Sequence, residues 1–259
     1  MDINILAGML IPFVGTSLGA ACVLLVRGRL NGSVQKSMMG FAAGVMVAAS
    51  VWSLLIPAME MSSHMERLAF IPAAAGFVLG IAFLLLLDHA VPHFHPEKGT
   101  QEGPKGSWKN STMLMLAVTI HNIPEGASVG IVLAGAATGE TMITMAGAIA
   151  LSIGIAIQNF PEGAIISLPL KEELGKGKAL LMGVLSGVVE PVAAFITYFL
   201  ATRISPFIPY TLAFAAGAMI YVVVEELLPE SAEGEHSNMG TIGFAAGFLV
   251  MMVLDVALG

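Results

Sequence analysis

Apolar residues in this 259-residue chain run in long stretches separated by short polar ones. A bilayer core of about 30 Å is crossed by about 20 residues of apolar helix. Eight stretches reach that length, at approximately 4–26, 37–59, 68–90, 111–137, 142–169, 179–202, 206–228 and 237–257. Charge inside them is scarce. Glu125 in the fourth span, Glu162 in the fifth and Glu190 in the sixth stand deep in apolar sequence, whereas Asp88, Glu225, Glu226 and Asp255 fall near span ends. The pattern predicts an all-α membrane protein forming a single domain over 1–259, with no room for a second, soluble domain. The longest loop, about 91–110, is rich in Gly, Pro and His and reads as flexible. The start, Met1-Asp2, has no basic leader, and the first apolar run exceeds a signal h-region, so it reads as a retained span.

Composition narrows the class. Hydrophobic residues make up 56% and charged residues 11%, against roughly 25% charged in a soluble domain. So few charges cannot solvate a soluble surface of this size. With 11 Lys+Arg against 18 Asp+Glu, there is no basic face for nucleic acid. Cys22 is the one cysteine, which excludes an intrachain disulfide and a cysteine-based metal site. Loop charge sets orientation. Arg27, Arg29, Lys36, Lys98, Lys105, Lys109, Lys171, Lys176 and Lys178 fall on one side, and only Arg67 and Arg203 on the other. The basic side is predicted to be cytoplasmic, with both termini extracytoplasmic, in the plasma or inner membrane.

Two repeats are visible. His-Asn-Ile-Pro-Glu-Gly-Ala at 121–127 matches Gln-Asn-Phe-Pro-Glu-Gly-Ala at 158–164. Phe-Ala-Ala-Gly occurs at 41–44 and 214–217, and Ala-Ala-Gly-Phe at 74–77 and 245–248. Spans 1–3 therefore recur as spans 6–8. Spans 1 and 6 cross in opposite directions, so the repeats are inverted, a transporter signature that puts the binding site at their interface.

The chemistry sits at mid-membrane. A carboxylate at the bilayer centre costs at least a few kcal/mol, and no Lys or Arg lies inside any span to relieve it. Glu125, Glu162 and Glu190 are therefore either protonated or neutralised by bound cation, up to one or two divalent ions. His121 and Glu125 are spaced i, i+4, as are Gln158 and Glu162, so each pair shares one helix face. Asn122 and Asn159 add carbonyl oxygens. Nitrogen, carboxylate and amide donors without thiolate suit a borderline divalent ion such as Zn²⁺. Met46 is a possible soft ligand. Pro124, Pro161 and Pro191 each free the carbonyl four residues earlier, which predicts helices broken at mid-depth. At the periphery, Glu60, His64 and Glu66 lie on the outer side. Asp88, His89, His93, His95, Glu225, Glu226, Glu230, Glu233, Glu235 and His236 lie on the inner side. They read either as ordinary solvated ends or as entrance and exit contacts for metal.

These motifs, together with Glu190-Pro191, Pro-His-Phe-His after span 3 and the Leu-Asp-Val-Ala-Leu-Gly end, resemble the ZIP (Zrt/Irt-like protein) divalent metal transporters, most closely their GufA-like branch. The resemblance covers nearly the whole chain. It implies a 3+2+3 arrangement, with helices 4–5 between the inverted repeats 1–3 and 6–8. It also implies a binuclear site halfway across the membrane. One metal would be held by Met46, His121, Glu125, Gln158 and Glu162. The other would be held by Asn122, Asn159, Glu162 and Glu190, with Glu162 bridging. It implies transport toward the cytoplasm, elevator-type motion of one bundle, and a homodimer. Asn159 stands where some bacterial relatives have Asp, Gln158 where many eukaryotic ones have His, and Glu225 where some relatives have His.

The expected function is transport of divalent transition metal, chiefly Zn²⁺ with Cd²⁺, Fe²⁺, Mn²⁺ or Cu²⁺ as further candidates, into the cytoplasm. No P-loop is present, so a metal gradient or coupled ions would drive it. An enzyme is not expected, because His-Glu-x-x-His and a separate water-activating base are missing. The alternative is a proton- or sodium-coupled carrier of an organic substrate that uses the three acids as a proton relay.

Overall fold

Among the described residues, eight helices long and apolar enough to cross a membrane follow one another. They are α1 (Ile3–Leu25), α2 (Gly32–Met61), α3 (Phe70–Ala90), α4 (Asn110–Thr138), α5 (Met145–Leu174), α6 (Lys176–Arg203), α7 (Ser205–Ala232) and α8 (Met239–Leu258). The computed structural model describes residues 2–26, 28, 30–91, 93–95, 100–102, 110–139 and 142–258. For 93–95, 100–102, 110 and 111 it describes the backbone alone. In the loop after α3 a short antiparallel ribbon pairs β1 (His93–His95) with β2 (Thr100–Glu102), His93 opposite Glu102. The chain is otherwise all-α among the described residues.

Local sequence sets the helix ends. Asp2, Asn31 and Thr144 accept hydrogen bonds from the backbone N–H groups of Asn4, Ser33 and Gly147, capping α1, α2 and α5. Gly175, at φ +80°, separates α5 from α6 in a conformation that glycine adopts without cost. On α1, Leu6, Leu10, Val14 and Leu18 repeat every four residues and are all exposed, while Gly8, Thr16, Gly19, Ala20 and Val23 are buried. The exposed stripe faces lipid, the buried one faces protein.

Lipid is as apolar as leucine, so close packing rather than burial of oil from water joins these helices. Small residues make that packing possible. A Cβ at Gly44 of α2 would overlap the carbonyl of Phe244 in α8, and one at Gly217 of α7 would overlap the carbonyl of Phe77 in α3. Gly15 and Gly19 of α1 meet α5 in the same way, and Gly126 and Gly130 of α4 meet α6. The most extensive pairings are accordingly α2 with α8, α1 with α5, α3 with α7 and α4 with α6. Exchanging α1 for α6, α2 for α7, α3 for α8 and α4 for α5 returns the same four pairs.

Two further features follow the same exchange. α2 widens into a π-helical turn at Ser50–Leu55, and α7 does so at Val223–Leu227. Their first residues stand 223 − 50 = 173 positions apart, as do the two Phe-Ala-Ala-Gly segments. The α2–α8 pair carries a hydrogen bond from Ser53 Oγ to Asp255 Oδ1 at 2.5 Å. The α3–α7 pair carries one from Tyr221 Oη to Asp88 Oδ2 at 3.0 Å.

The prolines correct one expectation. α4 and α5 run unbroken through Pro124 and Pro161. The interruption falls in α6, where the hydrogen-bond ladder stops at Val188 between Lys176–Gly187 and Val189–Arg203. Pro191 lacks the N–H that would bond Gly187. The Val188 N–H turns to Leu185 three residues back, and an α4 side chain takes the neighbouring carbonyl, as described below. One missing ladder bond is tolerated in α4 and α5, whereas α6 has that loss and a lateral donor to the Ser186 carbonyl side by side.

The glycine contacts predict a contrast in stability. Gly44→Ala should lower the unfolding free energy of the detergent-solubilised protein by about 1–3 kcal/mol, the cost of overpacking. Gly32→Ala, with no atom within 4 Å of the added methyl, should change it by no more than about 0.5 kcal/mol. Thermal unfolding of the two variants side by side checks this.

Candidate metal site

Pro-Glu-Gly occurs once in α4 and once in α5, and each glycine is where a neighbouring helix comes closest. Gly126 seats against the backbone of Glu190 in α6, and Gly163 against the backbone of Thr16 in α1. The residue before each glycine is the acid. The same contacts that lock α4 to α6 therefore bring Glu125 toward Glu190, and the α4–α5 packing brings both toward Glu162.

The amides join the acids into one cluster. Gln158 Nε2 lies among three oxygens and donates to Glu125 Oε1 at 2.5 Å, to Asn159 Oδ1 at 3.3 Å and to Glu162 Oε1 at 3.3 Å. Asn159 sits beside both Glu125 and Glu190. Asn122 Nδ2 donates to the Ser186 carbonyl at 3.1 Å, beside the interruption of α6. That bond uses the amide nitrogen and leaves Asn122 Oδ1 for the interior. Asn122, Glu125, Gln158, Asn159 and Glu190 are each at most 1% exposed.

Acceptors outnumber donors here. Asn122 Oδ1, Glu125 Oε2, Gln158 Oε1 and Glu190 Oε2 are buried without a hydrogen-bond donor, against one buried donor without an acceptor, Asn159 Nδ2. Among the described residues no Lys or Arg pairs with the three acids. A buried acceptor without a partner costs about 1–3 kcal/mol, and more if charged. Two carboxylate and two amide oxygens with that deficit in one place form a set suited to a cation. Among the described residues no three Asp, Glu, His or Cys groups alone converge closely enough to hold one ion. An ion bound here must therefore draw on the amides.

A cavity of about 510 Å³ reaches the cluster from one end of the bundle. Gln35, His121, Glu162, Glu172, Glu173, Glu226 and Glu230 contribute its polar lining. It lies toward the ends of α5 and α7 that carry Glu172 and Glu230, the side to which the loop-charge pattern assigns most of the basic residues. Glu162 is only partly buried and forms the boundary between cavity and cluster. His121 lies on the same boundary, and its Nε2 stands 2.7 Å from Glu226 Oε1 of the α7 π-turn.

The structure thus gathers seven of the eight predicted central residues, five buried behind the boundary and Glu162 and His121 on it. Met46 is buried within the apolar core of α2. Among the predicted peripheral residues, Glu226 joins His121, and Asp88 accepts from Tyr221. Glu60, His64, Glu225 and His236 are exposed, as is His89, whose Nδ1 lies 2.8 Å from the Leu85 carbonyl. The side chains of His93 and His95 lie outside the described residues. Sequence reasoning missed Thr16, whose Oγ1 donates to Glu190 Oε1 at 2.5 Å. The signal available was the repeat offset, which carries Thr16 to within a few positions of Glu190.

Known proteins resemble this chain along its length. The family model described as ZIP Zinc transporter matches residues 111–255. The chain is 36% identical to zinc transporter ZIP11 of Homo sapiens, with 94% of each chain covered. It is 38% identical to zinc transporter GufA of Myxococcus xanthus, with 98% of each covered. It is also 38% identical to zinc transporter ZIPB of Bordetella bronchiseptica, covering 95% of this chain and 79% of that one.

The oxygen cluster predicts how a bound ion feeds into stability. At about 100 times its dissociation constant, Zn²⁺ should stabilise the folded protein by about 2.7 kcal/mol. Glu125→Gln should lose most of that increment, yet unfold no earlier than the wild type in chelator, because it removes a buried charge with no base beside it. Thermal unfolding with and without Zn²⁺ reads both effects.

Proposed function

The chain belongs to the ZIP family of zinc transporters, and we propose that it carries Zn²⁺ across the membrane toward the cytoplasm through the Glu125–Glu162–Glu190 cluster. The observation that carries this reading is the set of buried carboxylate and amide oxygens with no hydrogen-bond donor and no base, reached by a cavity whose wall carries His121 and several glutamates. The names of its relatives support zinc as the cargo. The exchange of helix pairs supports the 3+2+3 plan, with α4 and α5 between inverted repeats α1–α3 and α6–α8. The charge bias of the loops supports a cytoplasmic position for the cavity mouth and extracytoplasmic termini.

In this reading the site is binuclear. His121, Glu125, Gln158 and Glu162, with Met46 of α2, hold one ion. Asn122, Asn159, Glu162 and Glu190 hold the other, and Glu162 bridges. Gln158 turns its amide so that Oε1 meets the ion and Nε2 leaves the position among the three oxygens. This exchanges a hydrogen-bond donor for a cation without moving a helix. Glu162 and His121 are the ligands reachable from the cavity, so they are the last to release the ion. Glu226 competes with it for His121 Nε2, giving the imidazole a partner as the metal leaves. The acids of the cavity wall, Glu172, Glu173, Glu226 and Glu230, lower the cost of an ion moving toward the cavity mouth.

Ligation by carboxylate and imidazole fixes the pH response. These groups bind metal only when deprotonated, so protons compete with zinc. Zn²⁺ entry into proteoliposomes loaded with a zinc indicator should fall as the pH is lowered from about 8 to about 5. Glu162→Ala should abolish it, since both ions share that residue. Wild-type flux that is flat across this range, or flux that survives Glu162→Ala, would contradict the proposed ligands.

A further inference from the structure

Thr16 of α1 is 1% exposed and lies outside the donor set described above. A threonine in a membrane helix ordinarily returns its hydroxyl to the carbonyl four residues back. Here that carbonyl, of Pro12, is 3.5 Å away, whereas Glu190 Oε1 is at 2.5 Å. The hydroxyl proton therefore goes to the carboxylate. The methyl lies toward α6, where a Cβ on Gly187 would meet Thr16 Cγ2 at 2.9 Å. Both ends of this small side chain are thus fixed against the interrupted segment of α6 that carries Glu190.

The repeat explains why these two residues meet. Gly163 seats on the Thr16 carbonyl as Gly126 seats on the Glu190 carbonyl, and Gly126 and Gly163 hold the same place in the duplicated motif. Thr16 and Glu190 are then counterparts, 190 − 16 = 174 positions apart, next to the offset of 173 between the Phe-Ala-Ala-Gly segments. The hydrogen bond ties counterpart positions of the two halves, and only one half carries the acid.

Its consequence lies in the two carboxylate oxygens. Oε1 of Glu190 is engaged by Thr16, while Oε2 is buried with no donor. We propose that Thr16 is a positioning residue that holds Glu190 by Oε1, so that Oε2 is presented to the second metal ion. The hydroxyl also supplies the one donor that this carboxylate has from α1, so the anion is held in place before the ion arrives. The inference rests on the reading of Glu190 as a metal ligand given above.

Hydroxyl and methyl can be tested separately. Thr16→Val keeps the shape and removes the hydroxyl, and Thr16→Ser does the reverse. Thr16→Ala, which relieves any crowding, is measured beside them. Zn²⁺ uptake into proteoliposomes is compared for these three, for Glu190→Gln, and for Thr16→Val combined with Glu190→Gln. A hydrogen bond to a charged group predicts a KM for Zn²⁺ raised about tenfold in Thr16→Val and Thr16→Ala. Thr16→Ser should stay within about twofold of wild type. The double variant should be no worse than Glu190→Gln alone, because Thr16 acts through Glu190. A wild-type KM in Thr16→Val, a Thr16→Ser as impaired as Thr16→Val, or a double variant worse than Glu190→Gln would each overturn the proposal. If Glu190→Gln itself transports like wild type, the ligand role of Glu190 fails instead, and the positioning role with it.

Discussion

Two buried carboxylates, Glu125 and Glu190, and a third, Glu162, partly buried beside them, with no lysine or arginine pairing with them among the described residues, are the constraint on which the site depends. Apolar surroundings make an isolated carboxylate expensive, and the usual relief of a paired base is missing. The neighbours are amides, one imidazole and one hydroxyl. These groups orient acceptors but do not cancel charge. A divalent cation does both, since it neutralises the acids and accepts the lone pairs for which the protein offers no donor. The cluster is therefore costly as it stands and would be satisfied by a divalent cation, the property the proposed transport site needs.

Helix packing makes such a cluster buildable. Glycines at the contact points let backbones approach to carbonyl-to-Cα distance, and the acid-bearing segments lie beside those points. α4 meets α6 at Gly126, and α5 meets α1 at Gly163. Functional side chains are thus placed by contacts that would be needed for packing alone. The exchange of helix pairs extends this economy, because one set of small-residue contacts, used twice, closes both halves around the same centre.

Much of this was legible in the chain itself. Long apolar runs give the eight helices, because in lipid every backbone hydrogen bond must be made within the segment. The i, i+4 spacing of His121 with Glu125 and of Gln158 with Glu162 put each pair on one helix face. Other features were not legible, because they depend on which distant groups meet. Nothing local to Gln158 says that its nitrogen also meets Glu125 of α4, or that His121 turns to Glu226. The prolines pointed to breaks in α4, α5 and α6. Of the three, the break in α6 is present, where the loss at Pro191 coincides with an Asn122 amide arriving from α4. Thr16 reads as one more small polar residue in α1 until the repeat offset sets it against Glu190.

Zinc K-edge X-ray absorption of the purified, zinc-loaded protein tests the central claim most directly, that a desolvated ion is held by these oxygens and His121. The account predicts a first shell dominated by nitrogen and oxygen at about 2.0–2.2 Å, with imidazole scattering that disappears in His121→Ala. A first shell indistinguishable from hydrated zinc, unchanged by that substitution, would contradict it.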